Sequence, residues 1–324
     1  MASPYPLPAD DAVAAPAALP GARPPAPVSG QDGVITWEEA ETLRRLLARA
    51  ASGEYQVIQA GDGGACHPAA LAPRLRLLDA LAGIIGTNTG RPVVRIGSLA
   101  GRPSGVPVWT SREALVLDHE LPFLQRTPTG RTLLTSTHLP CLGARTSRPD
   151  GALVRMLADA VNPLACEIGP GTAPGSLLRL CDVLDPGREP GRLTLVSRMG
   201  ASPVASELPP LVTAVREAGH PAAWLCDPMG GNTITARAGH RTRLVPMLIE
   251  EVVAFGRAVA EAGGVAAGLR LETTPDSVTE CAWGALDVDR AAGRSVSPCG
   301  PRLNPQQAFT VAGAWGPPSR AAGA

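Results

Sequence analysis

Short apolar runs recur along the chain, and most of them end in a charged residue or a glycine. Runs of this length, without regular polar alternation, are typical of parallel strands that are buried on both faces. The runs that we predict to be strands are YQVIQAG (55–61), PVVRIG (92–97), TLLTST (132–137), LACEIG (164–169), LTLVSR (193–198), AAWLCDPM (222–229), LRLET (269–273) and, more weakly patterned, SVSPC (295–299).

Segments with helical spacing of apolar residues separate these strands, as in PMLIEEVVAFGRAVAEAGG (246–264). Another helix is predicted in ITWEEAETLRRLLARAASG, where Thr36 and Glu39 have the spacing of a capping box and Gly53 ends the pattern. Eight strands that alternate with helices predict an α/β fold, a (β/α)8 TIM barrel. A doubly wound open sheet is the alternative, although no GxGxxG motif follows the first strand.

Residues 1–32 are rich in alanine and proline and show no periodicity, which predicts a disordered N-terminal tail. The short N-terminal helix and the barrel then make up a single domain over residues 33–324. No apolar stretch reaches 18 residues without a charge or a proline, so we expect no membrane span. The seven cysteines are scattered, odd in number and without a CxxC pair, which favours a reduced cytoplasmic location.

The composition excludes several classes of function. All 29 basic residues are arginine, so the lysine amine of a Schiff-base or pyridoxal enzyme is absent. Aromatic residues make up only 3% of the chain and the net charge is zero, which argues against nucleic-acid binding.

Several predicted strands carry a polar residue at or just beyond their end, where a barrel would gather them on one face. Arginines at such a face predict a pocket for phosphates or carboxylates. The alternative is that each arginine caps a helix or pairs with an exposed acid. These residues are Asp62, Ser98, Arg145, Arg198, Asp227, Glu272 and Arg302.

Five sequence blocks resemble the signatures of class II (plant-like) 3-deoxy-D-arabino-heptulosonate 7-phosphate (DAHP) synthases. They are NPLACEIGPG (162–171), LTLVSRMG (193–200), CDPMGGNT (226–233), LRLETTPDSVTEC (269–281) and PCGPRLNPQQ (298–307). The resemblance implies a (β/α)8 barrel that condenses phosphoenolpyruvate with erythrose 4-phosphate, the opening reaction of the shikimate pathway to aromatic amino acids. It also implies a divalent metal that polarises the aldehyde, and arginines and lysines that hold the substrate's anionic groups.

The metal ligands implied by the resemblance are mostly missing. Glycine stands at three of the four ligand positions, Gly63, Gly230 and Gly300, and only Glu272 keeps a liganding side chain. A single carboxylate does not hold manganese or cobalt tightly. We therefore expect no cofactor, unless Cys66 and His67 rebuild the metal site beside Glu272; His67 is otherwise an exposed loop histidine.

The implied anion site is partly kept. Arg145, Arg198, Arg302 and Asn232 remain, whereas Glu167 stands where the family has a phosphoenolpyruvate-binding lysine. Three functional hypotheses follow, and the first is favoured. In it, a diverged enzyme of a specialised biosynthetic pathway carries out metal-independent chemistry on a small anionic metabolite. Its catalytic groups would be Glu272, Asp227, Glu280 and Glu167, and its anion-binding groups Arg145, Arg198, Arg302 and Asn232.

The second hypothesis is a genuine DAHP synthase with a rebuilt manganese or cobalt site. The third is a non-catalytic relative that binds a metabolite or a partner protein. The resemblance also implies a homodimer and, as a protein partner, chorismate mutase.

Overall fold

The computed structural model describes residues 34–64, 68–99, 108–237, 239–290 and 300–316. The tail predicted at 1–32, Cys66 and His67, and the strand predicted at 295–299 lie outside these residues. Residues Asp32–Ala324 form one compact unit. None of the helices in the described ranges is long and apolar enough to cross a membrane.

Strands and helices alternate over most of the described chain. The strands are β1 (Gln56–Gly61), β2 (Val93–Ser98), β3 (Trp109–Glu113), β4 (Leu124–Arg126), β5 (Thr132–Leu134), β6 (Leu139–Leu142), β7 (Leu164–Ile168), β8 (Leu193–Ser197), β9 (Ala223–Cys226), β10 (Thr233–Thr235), β11 (Arg241–Arg243) and β12 (Ala266–Glu272). The helices are α1 (Trp37–Ala51), α2 (Pro68–Thr89), α3 (Leu117–Glu120), α4 (Ala152–Asp159), α5 (Pro174–Leu184), α6 (Val204–Glu217), α7 (Val245–Glu261) and α8 (Pro305–Gly313).

Eight of the strands form a closed parallel barrel in the order β1–β2–β3–β6–β7–β8–β9–β12, with β12 paired back to β1. The remaining four strands form two antiparallel hairpins, β4–β5 and β10–β11. The predicted TIM barrel is therefore confirmed, and the doubly wound alternative is wrong because both edges of the sheet are joined.

One of the predicted strands, 132–137, does not match the barrel. Residues 132–137 were assigned to it, but 132–134 pair with β4 in a hairpin, and the barrel strand follows at β6. The sequence did not predict β6 because it is short and contains Pro140, which lacks a backbone N–H. It also did not predict β3, whose centre is polar.

Helix α1 closes the N-terminal end of the barrel. Its capping box is confirmed: Thr36 Oγ1 accepts from the Glu39 backbone N–H, and the Glu39 carboxylate accepts from the Thr36 N–H. Leu43, Leu47 and Ala50 pack on the apolar side chains that point into the barrel from seven of its strands. The interior is therefore a filled core at this end, and polar side chains are left for the opposite end.

Candidate active site

The period-two alternation of the strands brings six charged side chains into the C-terminal mouth of the barrel. Inward-facing apolar residues such as Ala165, Val196 and Leu225 are each followed, two positions later, by a charged residue. In β12 a register shift between Ala266 and Gly268 changes which residues face inward. The six residues are Glu113, Glu167, Arg198, Asp227, Arg270 and Glu272.

Arg198, just beyond β8, lies at the centre of this mouth. Its Nη1 donates to Glu167 Oε2 at 2.7 Å, its Nε lies 3.2 Å from Asp227 Oδ2, and its Nη2 lies 3.6 Å from Glu272 Oε1. The Asp227 contact is an ion pair without the alignment of a hydrogen bond, since both atoms are buried and have no hydrogen-bond partner. Three acids from three different strands thus surround one guanidinium group.

Arg270 is a second, partly buried arginine in the mouth, and the sequence analysis missed it. It rises from β12 across the barrel, and its Nη1 donates to Glu167 Oε1 at 2.7 Å and lies 3.4 Å from Cys141 Sγ. Its Nε lies 3.6 Å from Asp227 Oδ2. The signal was available, because Arg270 precedes Glu272 by two residues in a strand and must face the same side.

Arg243, on β11, is the third arginine of the mouth and the second that the sequence analysis missed. Its side chain is only 2% exposed, and its Nη1 donates to Glu272 Oε2 at 2.7 Å and to the Pro301 carbonyl. Its Nε donates to Thr233 Oγ1 at 3.0 Å. Arg243 therefore ties Glu272 to the segment that contains Gly300.

Two of the three glycines at the implied metal-ligand positions adjoin these arginines. A Cβ atom at Gly230 would lie 2.5 Å from Arg198 Nε and 2.8 Å from Arg198 Cβ. A Cβ atom at Gly300, whose φ is +106°, would lie 3.3 Å from Arg243 Nη2 and 3.7 Å from Glu272 Oε2. Gly63 follows β1, which pairs with β12. Guanidinium groups therefore take up space beside the positions where the resemblance expects ligand side chains.

The described residues do not fit the implied metal. Glu272, which stands at the retained ligand position, forms ion pairs with Arg243 and Arg198. Their positive guanidinium groups would repel a divalent cation bound to Glu272. Within the described ranges, no group of three or more His, Cys, Asp or Glu side chains is arranged to hold a metal ion. Cys66 and His67, the proposed substitutes, lie outside those ranges.

Glu280 and Arg302 form a second cluster, at the side of the mouth next to β1. Arg302 Nη2 and Nε donate to the two Glu280 carboxylate oxygens at 2.7 and 3.1 Å, and its Nη1 donates to Asp62 Oδ2 at 3.1 Å. Arg74 donates to the other Asp62 oxygen at 2.8 Å. The donors of Arg302 are thus largely used within the protein, as expected of residues that fix loops.

Asn232 is buried behind the mouth and binds no group inside it. Its Oδ1 accepts from the Ala201 N–H at 3.0 Å, and its Nδ2 donates to Glu251 Oε2 at 2.6 Å. Glu251 Oε1 in turn accepts from the Gly200 N–H at 2.9 Å. Asn232 and Glu251 therefore join the loop that follows Arg198 to the loop that follows Asp227.

Arg145 and Glu113 lie at the rim. Arg145 is exposed and forms no ion pair with the described residues. The Glu113 carboxyl group points inward, since a Cβ atom at Gly143 would collide with its Oε1 and would lie 3.5 Å from Glu167 Oε2. Glu113 also has no ion pair in the described part of the chain. Both groups therefore remain open to a ligand.

The acids of the mouth differ in how firmly they hold a proton. Partial burial, with the nearby Glu167, raises the pKa of Glu113. Burial opposes the charge on Glu167, but Arg270 and Arg198 outweigh it and hold the pKa of Glu167 below its usual value. The nearby charge of Asp227, and to a smaller extent that of Glu167, raises the pKa of Arg198. The mouth thus combines an ion-pair cluster with a carboxyl group, Glu113, whose pKa is raised although it has no ion pair with the described residues.

The geometry defines the class of protein as a TIM barrel with a charged site at the C-terminal ends of its strands. A solved phospho-2-dehydro-3-deoxyheptonate aldolase from Francisella tularensis has a similar fold, with a TM-score of 0.50 at 9% identity, over 86% of this chain and 91% of that one. The sequence model of the class-II DAHP synthetase family matches residues 103–314. The chain belongs to this family.

Curated relatives agree with this assignment. A probable phospho-2-dehydro-3-deoxyheptonate aldolase of Pseudomonas fluorescens is 42% identical over 355 aligned positions, covering 87% of this chain and 88% of the relative. The corresponding aldolase AroG of Mycolicibacterium smegmatis is 38% identical over 213 positions, covering 63% of this chain and 46% of the relative. The chain thus spans most of the first relative and about half of the second.

Proposed function

We propose that this family member acts on a small anionic metabolite by metal-independent chemistry, in a specialised biosynthetic pathway. The observation that carries the proposal is the placement of Arg198 against Gly230, in contact with Glu167, Asp227 and Glu272. Arginine side chains then supply the positive charge that the family obtains from a metal. Glu272 is retained because it pairs with Arg243 and Arg198.

The open groups of the mouth have distinct roles in this proposal. Arg145 attracts the anionic group of the ligand from the rim, since its guanidinium group is exposed and has no ion pair with the described residues. Glu113, with its raised pKa, serves as a proton donor beside Glu167. Arg198 and Arg270 stabilise negative charge at the centre, and Asp227 and Glu272 hold Arg198 in place.

Glu280, Arg302 and Asn232 have a supporting role. Their hydrogen bonds run to other protein groups, so we assign them to the loops that shape the mouth and no longer to catalysis or anion binding. With Asp227 and Glu272 assigned to holding Arg198, the candidate catalytic residues are then Glu113 and Glu167.

The family reaction itself is the second candidate, because the probable aldolase of Pseudomonas fluorescens is 42% identical over most of this chain. It requires a metal site built with residues such as Cys66 and His67.

Phosphate release from phosphoenolpyruvate and erythrose 4-phosphate separates the two candidates. The purified chain is assayed with manganese or cobalt and with a chelator, and the Mycolicibacterium smegmatis aldolase serves as the positive control. We expect no release above background, because arginines neutralise Glu272. Release that depends on metal and disappears with the chelator would reject the metal-independent proposal.

A further inference from the structure

The Glu167 carboxylate is held in the way that proteins hold an anionic ligand. Its Oε1 accepts from Arg270 and its Oε2 from Arg198, each at 2.7 Å. The two arginines come from different strands, β12 and the end of β8, and the Glu167 side chain is only 5% exposed. Paired guanidinium groups of this kind recognise carboxylates and phosphates.

The other carboxylates of the cluster do not balance the positive charge of its arginines. Without Glu167, the central carboxylates would be Asp227 and Glu272, set against Arg198, Arg270 and Arg243. One positive charge would then lack a partner in a mostly buried site. An uncompensated buried charge is costly, so such a site recruits an anion from solution.

We refer to Arg198 and Arg270 together as the clamp, and part of it faces the open mouth of the barrel. Arg198 itself is 26% exposed, so the clamp can be reached from the mouth.

We propose that Arg198 and Arg270 form a binding site for a small carboxylate or phosphate group, and that Glu167 is a tethered competitor which occupies this site in the absence of ligand. This inference rests on the proposed function, because it takes the mouth to be an anion site. It adds the residue that determines which anions enter: only a ligand that outcompetes Glu167 displaces its carboxylate.

Anion binding to Glu167→Gln tests the proposal. Phosphoenolpyruvate, inorganic phosphate and pyruvate are titrated separately by calorimetry, in the presence of a chelator. The variant keeps the shape of the side chain and removes its charge, so at least one anion should bind at least about tenfold more tightly than to the wild type. The phosphate and pyruvate arms show whether the clamp prefers a phosphate or a carboxylate.

Two further variants make the result specific. The double variant Glu167→Gln/Arg270→Gln should lose the gain in anion affinity, because one of the two arginines that bind the anion is removed. Glu120→Gln is the matched control: Glu120 is also buried and accepts from one arginine, Arg112, at 2.9 and 2.7 Å, but it lies in α3 outside the mouth. It should bind anions as the wild type does.

An unchanged affinity of folded Glu167→Gln for all three anions would overturn the inference. If that variant does not fold, Glu167→Asp replaces it; the shorter side chain weakens the clamp, and the same absence of gain would overturn the inference. The proposed function fails separately, by metal-dependent phosphate release from the wild type.

Discussion

At the scale of single residues, the absence of a side chain at position 230 is what allows the cluster to form. Arg198 lies where a Cβ atom at Gly230 would be, and the collision would involve the Arg198 Cβ as well as its guanidinium Nε. A flexible side chain can move its far end, but its Cβ moves only with the backbone. Gly230 therefore leaves the space in which Arg198 takes up this position.

Gly230→Ala should accordingly destabilise the protein by roughly 1–3 kcal/mol, since it pushes Arg198 away from buried Asp227. Urea unfolding measures the change. Gly256→Ala is the matched control: it is a helical glycine of α7 with nothing within 4 Å of the added carbon. It should be neutral or stabilising by up to about 1 kcal/mol. Equal stability of Gly230→Ala and the wild type would contradict this account of Arg198.

The sequence predicted which residues reach the mouth better than it predicted what they do there. Strand ends identified Arg198, Asp227 and Glu272, because a strand fixes the side to which each residue points. The sequence could not show that Arg302 donates its hydrogen bonds to Glu280 and Asp62, since those contacts join distant parts of the chain. The buried position of Glu251 could have been predicted, because it falls within the apolar stripe of α7 that includes Leu248, Val252 and Phe255.

At the scale of secondary structure elements, one buried arginine holds the ends of two helices. Arg192, in the loop before β8, donates to the carbonyls of Leu157 and Ala158 at 2.9 and 3.1 Å, near the end of α4. Its Nε donates to the Leu184 carbonyl, the last residue of α5, at 3.1 Å. Helix ends leave carbonyls without partners, and a buried guanidinium group supplies them.

Arg192→Lys should therefore cost about 3 kcal/mol of stability, although it keeps the positive charge, because an ammonium group cannot reach carbonyls on both helices at once. Thermal unfolding gives the difference. Arg179→Lys changes an exposed arginine on α5 that, among the described residues, donates only to Ser176, and it should change stability by less than about 0.5 kcal/mol. Similar losses in the two variants would show that the shared carbonyl contacts are unimportant.

The same scale explains which strands the sequence revealed. Runs such as LTLVS and AWLC are apolar on both faces, and both were predicted. β3 and β6 were not, because polar residues or a proline interrupt them and their pairing comes from neighbours in the closed sheet. The TLLTST run is held as a hairpin and loop, in which the Asn162 side chain bonds the backbone of Leu134 and Thr137.

At the scale of the whole molecule, a buried acid makes stability depend on pH. Glu251 is fully buried, and this burial raises its pKa from 4.5 to about 8. The folded protein holds the proton more tightly than the unfolded chain does. The resulting stabilisation is fully present below about pH 4.5 and is lost as the pH rises toward 8.

Unfolding free energies measured between pH 5 and pH 8 should thus fall, by on the order of a few kcal/mol from this group. Glu251→Gln, which resembles the protonated side chain, should flatten the decline. Glu250→Gln, one residue away on the exposed side of α7, should leave the slope as in the wild type. A slope that survives in Glu251→Gln would assign the pH dependence to other groups.

The seam that closes the barrel has a consequence for how the chain is made. Val57 pairs with Gly268, and a side chain at 268 would collide with the Val57 carbonyl, so the joint accepts only a glycine. Because β12 pairs with both β1 and β9, the sheet keeps two open edges until residue 272 has left the ribosome. Contacts so distant in sequence form slowly. During synthesis, the nascent chain must therefore shield its unpaired edges, or have them shielded by chaperones, for almost its entire length.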